Sequence, residues 1–368
     1  MNEKMIKNLT LIARLLLGVV FVFSGFVKAI DPLGTTYKIE DYLFAFGDFF
    51  ITFLPLAQTL AILLIAVEFT LGVCLLLNVR PKLVAWITFA FYCVMTPLTL
   101  YIAVTNPISD CGCFGEVLVI SNTQTFVKNV ILLSCAIFLI YIEKKNPSQN
   151  PPVLRDAIAT ATPFVVILLF MWWTLLHLPI ADFRPYKIGN NIIELMEYPD
   201  DAEPDEYETT LIYADQNGNE KEFTINDYPK EGGWTFVRQN SKLVKKGYEP
   251  PIHDFEITTE DLDVITYDIL TSEVPVHLVI MYNLQKSNMK LLPKIRALFE
   301  ECTAKGEPVY LVTSSLQEDI ELLQSQLEVA LPICFCDPIT LKTIVRANPG
   351  VMVVKDGVII DKYNLRNR

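Results

Sequence analysis

Five apolar stretches dominate the chain, and each approaches the roughly 20 helical residues that cross a bilayer core. They run approximately Leu9–Val27, Leu54–Leu77, Leu83–Val104, Gln124–Ile142 and Ala157–Leu178. Hydrocarbon offers no partner to a backbone N–H or C=O, so segments of this kind fold as helices. Lys4 and Lys7 precede the first stretch as they would a signal peptide. The run is too long for a cleavable apolar region, however, lacks small-x-small cleavage residues and is followed by further spans, so it reads as a retained anchor. All five stretches lie in the first 180 residues, and the charge divides at the same place. Residues 1–180 hold 11 Lys and Arg against 10 Asp and Glu (+1), and residues 181–368 hold 19 against 32 (−13), which together give the chain's −12. The sequence is therefore an apolar half made for the lipid bilayer, followed by an acidic soluble half. Such acidity argues against nucleic acid as a partner, because phosphate binding needs clustered Lys and Arg.

Lys and Arg also orient the spans. With a cytoplasmic N-terminus, the inside segments hold Lys4, Lys7, Arg14, Arg80, Lys82, Lys144, Lys145 and Arg155, and the opposite side holds only Lys28, Lys38 and Lys128. That is the positive-inside pattern. An odd number of spans then carries everything after Leu178 out of the cytoplasm, which makes this a multi-pass protein of the cell (inner) membrane with a periplasmic C-terminal half. The polar, proline-rich run Glu143–Arg155 reads as a cytoplasmic linker. It divides a four-span unit (residues 1–142) from a fifth, tethering span, so that residues 143–180 form linker and tether.

Glu68 stands near the middle of the second span, where a carboxylate costs a few kcal/mol unless it is neutralised, paired or turned to a cavity. Arg14, Ser24 and Lys28 on the first span are its candidate partners. A proton-handling role and a polar clasp between two helices explain it about equally well. Cys74, Cys93 and Cys135 fall within apolar spans, where inert packing is the simplest role.

The first span runs Arg14-Leu-Leu-Leu-Gly18, then Ser24-Gly25-Phe-Val-Lys28-Ala-Ile-Asp31-Pro32, and the second places Gly72 after Glu68. These segments resemble DoxX-type membrane proteins. The loop Asp110-Cys111-Gly112-Cys113-Phe114-Gly115 resembles that of the MauE, methylamine-utilisation branch. The resemblance covers about the first 142 residues. It implies a four-helix bundle, and a role in maturing a periplasmic, disulfide-rich enzyme subunit beside a thioredoxin-like partner.

Cys111 and Cys113 would lie on the extracytoplasmic side, where disulfides form and persist. One intervening residue makes a small ring, and Gly112 lets the backbone close it. A bond so strained is an oxidising, labile one. Between two spans it could exchange with a periplasmic thiol on one side and a membrane quinone on the other. A structural disulfide or a pair of free thiols is the plainer alternative. A metal site is the weakest reading, since two thiolates with no His nearby fall short of the four ligands zinc normally takes.

After Leu178 the pattern changes. Residues 181–250 alternate polar and β-branched side chains, and Asn217-Gly218 between Thr210–Tyr213 and Glu222–Ile225 predicts a hairpin. A further turn signal stands at Glu231-Gly232-Gly233. From about Pro251 the order predicted is strand Val276–Tyr282, helix Met289–Lys305, strand Pro308–Ser314, helix Gln317–Leu327, then a hairpin of Val351–Lys355 and Val358–Tyr363 around Asp356-Gly357. This order over residues 251–368 resembles a thioredoxin fold. Pro349–Ile360 looks like its cis-proline strand and hairpin, and Ile252-His-Asp-Phe255 like the entry segment of tethered, TlpA-like members. The fold class expected is thus an α-helical membrane bundle followed by an extracytoplasmic α/β thioredoxin-like domain with a small β-rich insertion.

The departure matters more than the match. The segment where a thioredoxin keeps Cys-x-x-Cys is Leu284-Gln285-Lys286-Ser287-Asn288-Met289, without a cysteine, so the low-pKa thiolate of that position is absent. A second Cys-x-Cys, Cys334 and Cys336, is placed on a strand before Pro349. Its side chains share a face but sit too far apart for easy bonding, and packing is the simpler role, with secondary thiols the alternative. Cys302 reads as a semi-buried helix residue. The three His are scattered, and no Ser-His-Asp, HExxH, Walker or dinucleotide pattern appears.

Two functions compete. One is a membrane thiol-redox or disulfide-maturation factor acting through Cys111 and Cys113, with Glu68, Arg14 and Lys28 in a proton or helix-pairing role, and with quinone or a thioredoxin-like partner taking electrons. The other is a non-enzymatic envelope scaffold whose degenerate domain holds an extracytoplasmic client protein. Copper or zinc handling by the two Cys-x-Cys pairs is a third, weaker option.

Overall fold

The structure is a computed structural model that describes residues 3–108, 110–147, 153–199, 201–216, 218–225, 227–229, 232–245 and 247–368, with the side chains of 153 and 243 left undescribed. Among these residues, five helices are long and apolar enough to cross a membrane. They are α1 (Glu3–Ile30), α4 (Ala57–Leu77), α5 (Pro81–Thr105), α6 (Asn122–Lys145) and α7 (Val153–Leu176). Between α1 and α4 lie α2 (Pro32–Ala45) and the single turn α3 (Asp48–Ile51). The chain is a multi-pass membrane protein with a C-terminal region built on two β-sheets.

Helices α1 and α4 pack closely, and glycine lets them do so. A Cβ on Gly72 would stand 2.6 Å from the Val22 backbone nitrogen, and one on Gly25 would stand 2.7 Å from that of Phe69. Small residues let two backbones approach where lipid gives no hydrophobic drive to associate. Leu17, Phe21, Leu71, Leu75, Tyr92 and Leu132 fill the core beside this contact. A helix serving only as a tether would leave its faces to lipid. Instead α7 buries Ile167 and Met171 against Ala29, Ile65 and Ala66, so the fifth span belongs to the bundle. The central part of the expected linker, residues 148–152, lies outside the described residues.

Alternation of the five helices puts residues 31–56 and the described residues of the 106–121 loop and of the chain after Leu176 at one end of the bundle. At that end Asp31 caps α2, its carboxylate accepting from the Gly34 N–H at 2.9 Å with Pro32 opening the helix.

The C-terminal half begins with α8 (Ile192–Met196). It then makes a three-stranded antiparallel sheet of β1 (Glu206–Ala214), β2 (Glu220–Thr224) and β3 (Thr235–Lys245), ordered β2-β1-β3. The β1–β2 register pairs Thr210 with Thr224 and Tyr213 with Lys221, as the hairpin expectation requires. Its turn residue Asn217, and Glu231 of the second turn signal, lie outside the described residues.

The second sheet, ordered β4-β7-β6-β5-β8-β9, uses β4 (Thr258–Thr259), β5 (Val276–Ile280), β6 (Val309–Thr313), β7 (Ile333–Phe335), β8 (Gly350–Lys355) and β9 (Val358–Asn364). Strands β5, β6 and β7 are parallel; β8 and β9 run antiparallel on the other side of β5. Interspersed helices are α9 (Thr266–Leu270), α10 (Leu292–Lys305), α11 (Gln317–Leu327) and α12 (Pro338–Ile344). Both faces are covered, which explains the unbroken apolar run of β5. Ile295, Leu298, Ile320 and Leu323 pack on one side, and Tyr186, Ile192, Phe255, Ile269 and Leu341 on the other. Tyr186 and Ile192 therefore join this core, and the three-stranded sheet is an excursion from it rather than part of a continuous β-rich segment from residue 181. The peptide before Pro349 is cis.

The half docks firmly onto the bundle. The Asn364 amide donates to the carbonyls of Leu176 and His177 at 3.2 and 3.4 Å. Within the half, Arg184 donates to the Thr343 carbonyl at 2.7 Å and buried Lys362 binds Asp182, which fixes the segment leaving α7 against the sheet.

Candidate thiol site

The 110–115 loop is folded by its own polar ends. Asp110 accepts from the Gly112 N–H at 2.8 Å and pairs with Lys38 of α2 at 2.7 Å. Gly112 has φ of 66°, the left-handed region that favours glycine, and a Cβ there would stand 3.0 Å from the Lys38 side chain. The reversal brings the sulfurs of Cys111 and Cys113 to 3.1 Å, both half-buried. Tyr42 of α2 donates to the Cys111 carbonyl at 3.0 Å, and Ser24 of α1 to the Cys113 carbonyl at 2.6 Å.

The two thiols are made unequal. The Cys111 S–H hydrogen bond holds the Cys113 thiol down at about 6, helped by the Lys128 and Lys28 ammonium groups and opposed by burial. Cys111 is pushed upward by that same bond, then by its own burial. The pair is poised as one thiolate and one thiol. Lys128 also lies 4.5 Å from the centre of the Phe114 ring, which ties the loop to α6.

Beneath the loop, Lys28 pairs with Glu68 at 2.8 Å, and both side chains are buried. The Ser24 hydroxyl stands 2.7 Å from the other Glu68 oxygen, so this carboxylate, the hydroxyl and the Cys113 carbonyl form one chain from the bundle core to the cysteine loop. Of the candidate partners for Glu68, Lys28 and Ser24 meet it. Arg14 does not: it lies a few turns down α1 beside Asn78, Val79 and Glu143, at the other end of the bundle. About four helical turns of α1 separate Arg14 from Lys28, about 21 Å at 1.5 Å per residue.

Cys334 and Cys336 are elsewhere. Cys334 lies in β7, but Cys336 falls one residue beyond it, and both are buried in the core shared with Phe255 and Leu341. The expected strand is too short to hold both, because Asp337 already caps α12. Burial pushes their thiols up to about 11 and about 12, which leaves them protonated and inert. The cysteine-free segment after β5 is occupied by polar contacts. Ser287 donates to the Asn348 side chain at 2.7 Å, and Asn348 to the Asn283 carbonyl at 2.8 Å.

Residues that sequence reasoning did not single out complete the site. Lys38 and Tyr42 brace the loop from α2, and Lys128 does so from α6. Arg346, buried on the C-terminal half, pairs with Asp31 at 2.8 Å, approaches Glu116 at 3.7 Å and lies 5.2 Å from the Tyr37 ring centre. Tyr37 donates to Tyr282 at 3.3 Å, and Lys342 reaches Glu40 at 3.5 Å.

Residues 6–142 match the family model of methylamine utilisation protein MauE. The matched region takes in α2, α4, α5, nearly all of α1 and α6, and the whole cysteine loop. Residues 207–246, the three-stranded sheet, match a domain of unknown function (DUF8463). The chain is also similar to Protein TlpB of Flavobacterium psychrophilum, 24% identical over 163 residues, which is 42% of this chain and 43% of that protein. The match thus spans less than half of that relative. No solved structure matches the chain.

Proposed function

We propose that the protein is a membrane thiol–disulfide exchange factor of MauE type, acting through Cys111 and Cys113. The observation that carries this reading is the pair of sulfurs 3.1 Å apart, set in a half-buried loop above the Lys28–Glu68–Ser24 cluster and tied to Lys128 of α6. The Cys113 thiolate attacks one sulfur of a partner disulfide. A mixed disulfide forms, and the departing partner thiolate takes up a proton. Cys111 supplies that proton and its sulfur attacks Cys113, closing the Cys111–Cys113 bond; the second partner sulfur leaves and is protonated from water, so the partner is released as a dithiol. Two electrons pass to the partner. The reverse sequence oxidises a client, and a membrane quinone or a thioredoxin-like protein resets the pair.

The C-terminal half is read as a thioredoxin-like domain that has lost its own dithiol. The β5–α10–β6–α11–β7 order and the antiparallel β8–β9 pair support that reading. The Lys and Arg distribution supports a cytoplasmic N-terminus, an inner-membrane location and an extracytoplasmic thiol site. The domain division proposed is a bundle over residues 1–142 completed by the fifth span within 143–180, and a thioredoxin-like unit over 251–368 whose core also takes in Tyr186 and Ile192, with the three-stranded sheet as an excursion within 181–250.

A Cys111→Ser variant tests the exchange step. It retains the attacking thiolate but cannot resolve the product, so Cys113-linked partner complexes accumulate on non-reducing gels and vanish with reductant. Absence of any such complex, with the variant folded and in the membrane, would overturn the mechanism. A second reading, a client-holding scaffold, is favoured by the Ser287–Asn348–Asn283 network that fills the position of the missing dithiol. It requires partner binding that survives loss of both loop cysteines.

A further inference from the structure

The start of β5 lies at the end of the sheet away from α2. Tyr282, just beyond the strand's other end, touches Tyr37, while His277 sits at its beginning, about 16 Å away at 3.3 Å per strand residue. Here three kinds of metal-binding side chain converge. His277 comes from β5, Cys302 from the last turn of α10, and Glu307 from the connection into β6, and their donor atoms all lie within 4.8 Å of one another. None belongs to the thiol site.

Local structure fixes the three positions. Gly306 ends α10 with φ of 75°, and the Glu307 N–H donates to the Cys302 carbonyl at 2.9 Å. This turn folds the Glu307 carboxylate back over the Cys302 side chain. The His277 N–H donates to the Pro308 carbonyl at 2.9 Å, which binds β5 to the same turn. The imidazole Nε2 then stands 2.9 Å from the Glu307 carboxylate.

We propose that His277, Cys302 and Glu307 form a site for a divalent cation of borderline softness, with zinc the best match. Thiolate, imidazole and carboxylate together suit zinc and copper and disfavour magnesium and calcium, which take oxygen alone. Bonds of about 2.0–2.3 Å in a tetrahedral arrangement hold ligand atoms roughly 3.5 Å apart. The donor atoms, all within 4.8 Å of one another, stand near that spacing, and Glu307 is partly exposed. Cys302 is only 1% exposed, whereas His277 and Glu307 reach solvent, so the fourth position opens outward to a water or to a ligand from another protein. Burial, and then the Glu307 charge, push the Cys302 thiol upward, and a divalent ion reverses both effects by holding the thiolate. The cation would staple α10 to the sheet at two strands. It serves the C-terminal half and is independent of exchange at Cys111 and Cys113.

Cobalt(II) is the probe, because a thiolate ligand gives it a near-ultraviolet charge-transfer band and tetrahedral geometry gives visible bands. The full chain in detergent, carrying Cys111→Ser and Cys113→Ser to remove the loop dithiol, should bind one cobalt per chain with both signatures, displaced by zinc. Adding Cys302→Ser should abolish the charge-transfer band, and His277→Ala should weaken binding at least tenfold. Glu307→Gln, a change at a solvent-reaching side chain that leaves the fold intact, should weaken it by about 10–100-fold. Cys334→Ser should leave binding unchanged. No cobalt bound by the starting protein, or a charge-transfer band that persists in Cys302→Ser, would overturn the proposal, as would unchanged affinity in folded Glu307→Gln.

Discussion

The inequality of the two loop thiols can be tested by replacing Cys111 with Ala and following alkylation of Cys113 against pH. In the intact site the Cys111 S–H bond is the largest influence holding Cys113 at about 6. Its thiolate therefore appears as pH rises through that value, and reactivity levels off above it. Without Cys111, Cys113 moves toward the ordinary thiol value of about 8.5. At pH 6 about half of a thiol with pKa near 6 is thiolate, against about 0.3% of one near 8.5. Intrinsic nucleophilicity falls with pKa at a Brønsted slope of about 0.4–0.5, which costs the acidic thiolate roughly 13-fold. The net advantage of the intact site is then about tenfold at pH 6, and it reverses to about tenfold in favour of the variant at pH 9, where both are mostly ionised. The two profiles cross between about pH 7 and 8. Iodoacetamide labelling of detergent-solubilised protein, read at the Cys113 peptide by mass spectrometry, gives both curves. An inflection near 8.5 in the unaltered protein would refute the reasoning, as would superimposable curves for the two proteins.

Other consequences follow from the same contacts. Lys28→Met leaves Glu68 buried without its cation and should destabilise the bundle by about 3–5 kcal/mol, with most of this recovered in Lys28→Met/Glu68→Gln; unfolding in mixed micelles measures both. Gly72→Leu places a side chain where even a Cβ meets the Val22 nitrogen at 2.6 Å, so folded protein should be lost in size-exclusion chromatography, whereas Gly47→Ala, in open space, should cost only the strain of its positive φ. Arg346→Ala leaves Asp31 without its partner and should raise amide exchange across α2 and the cysteine loop in hydrogen–deuterium mass spectrometry. Cys336→Ser buries a hydroxyl among apolar side chains and should destabilise the C-terminal half by about 1–3 kcal/mol, leaving the redox state of Cys111 and Cys113 unchanged on alkylation gels.

The spans were legible because lipid imposes one rule on every backbone group, and length and apolarity suffice to express it. Lys28 and Ser24 were reachable as partners of Glu68 because residues 24 and 28 are one helical turn apart and face the same way. Arg14 was separable from them, since the Lys and Arg orientation already set it at the opposite end of the first span from Lys28; the alignment of α1 against α4 at Gly25 and Gly72 agrees with its exclusion. The strands and helices after residue 270 were readable from continuous apolar runs and amphipathic periods. The short α12 was not, since its seven residues carry too little periodicity and its start depends on the Asp337 cap. Least legible were α2 and Arg346. Their roles come from contacts more than 300 residues apart in sequence, such as Arg346 with Asp31. The role of α7 was hidden for a related reason, because an apolar helix reads alike whether its neighbours are lipid or protein.

The central claim is that Cys111 and Cys113 cycle between dithiol and disulfide. A thiol-alkylating mass tag applied to intact cells or membranes, after shifts to oxidising and to reducing conditions, reads the pair directly. The account predicts that the two cysteines exchange between tagged and untagged forms with those shifts, while Cys334 and Cys336 do not change. A pair that stays in one state under both conditions, in protein that is folded and membrane-inserted, would contradict it.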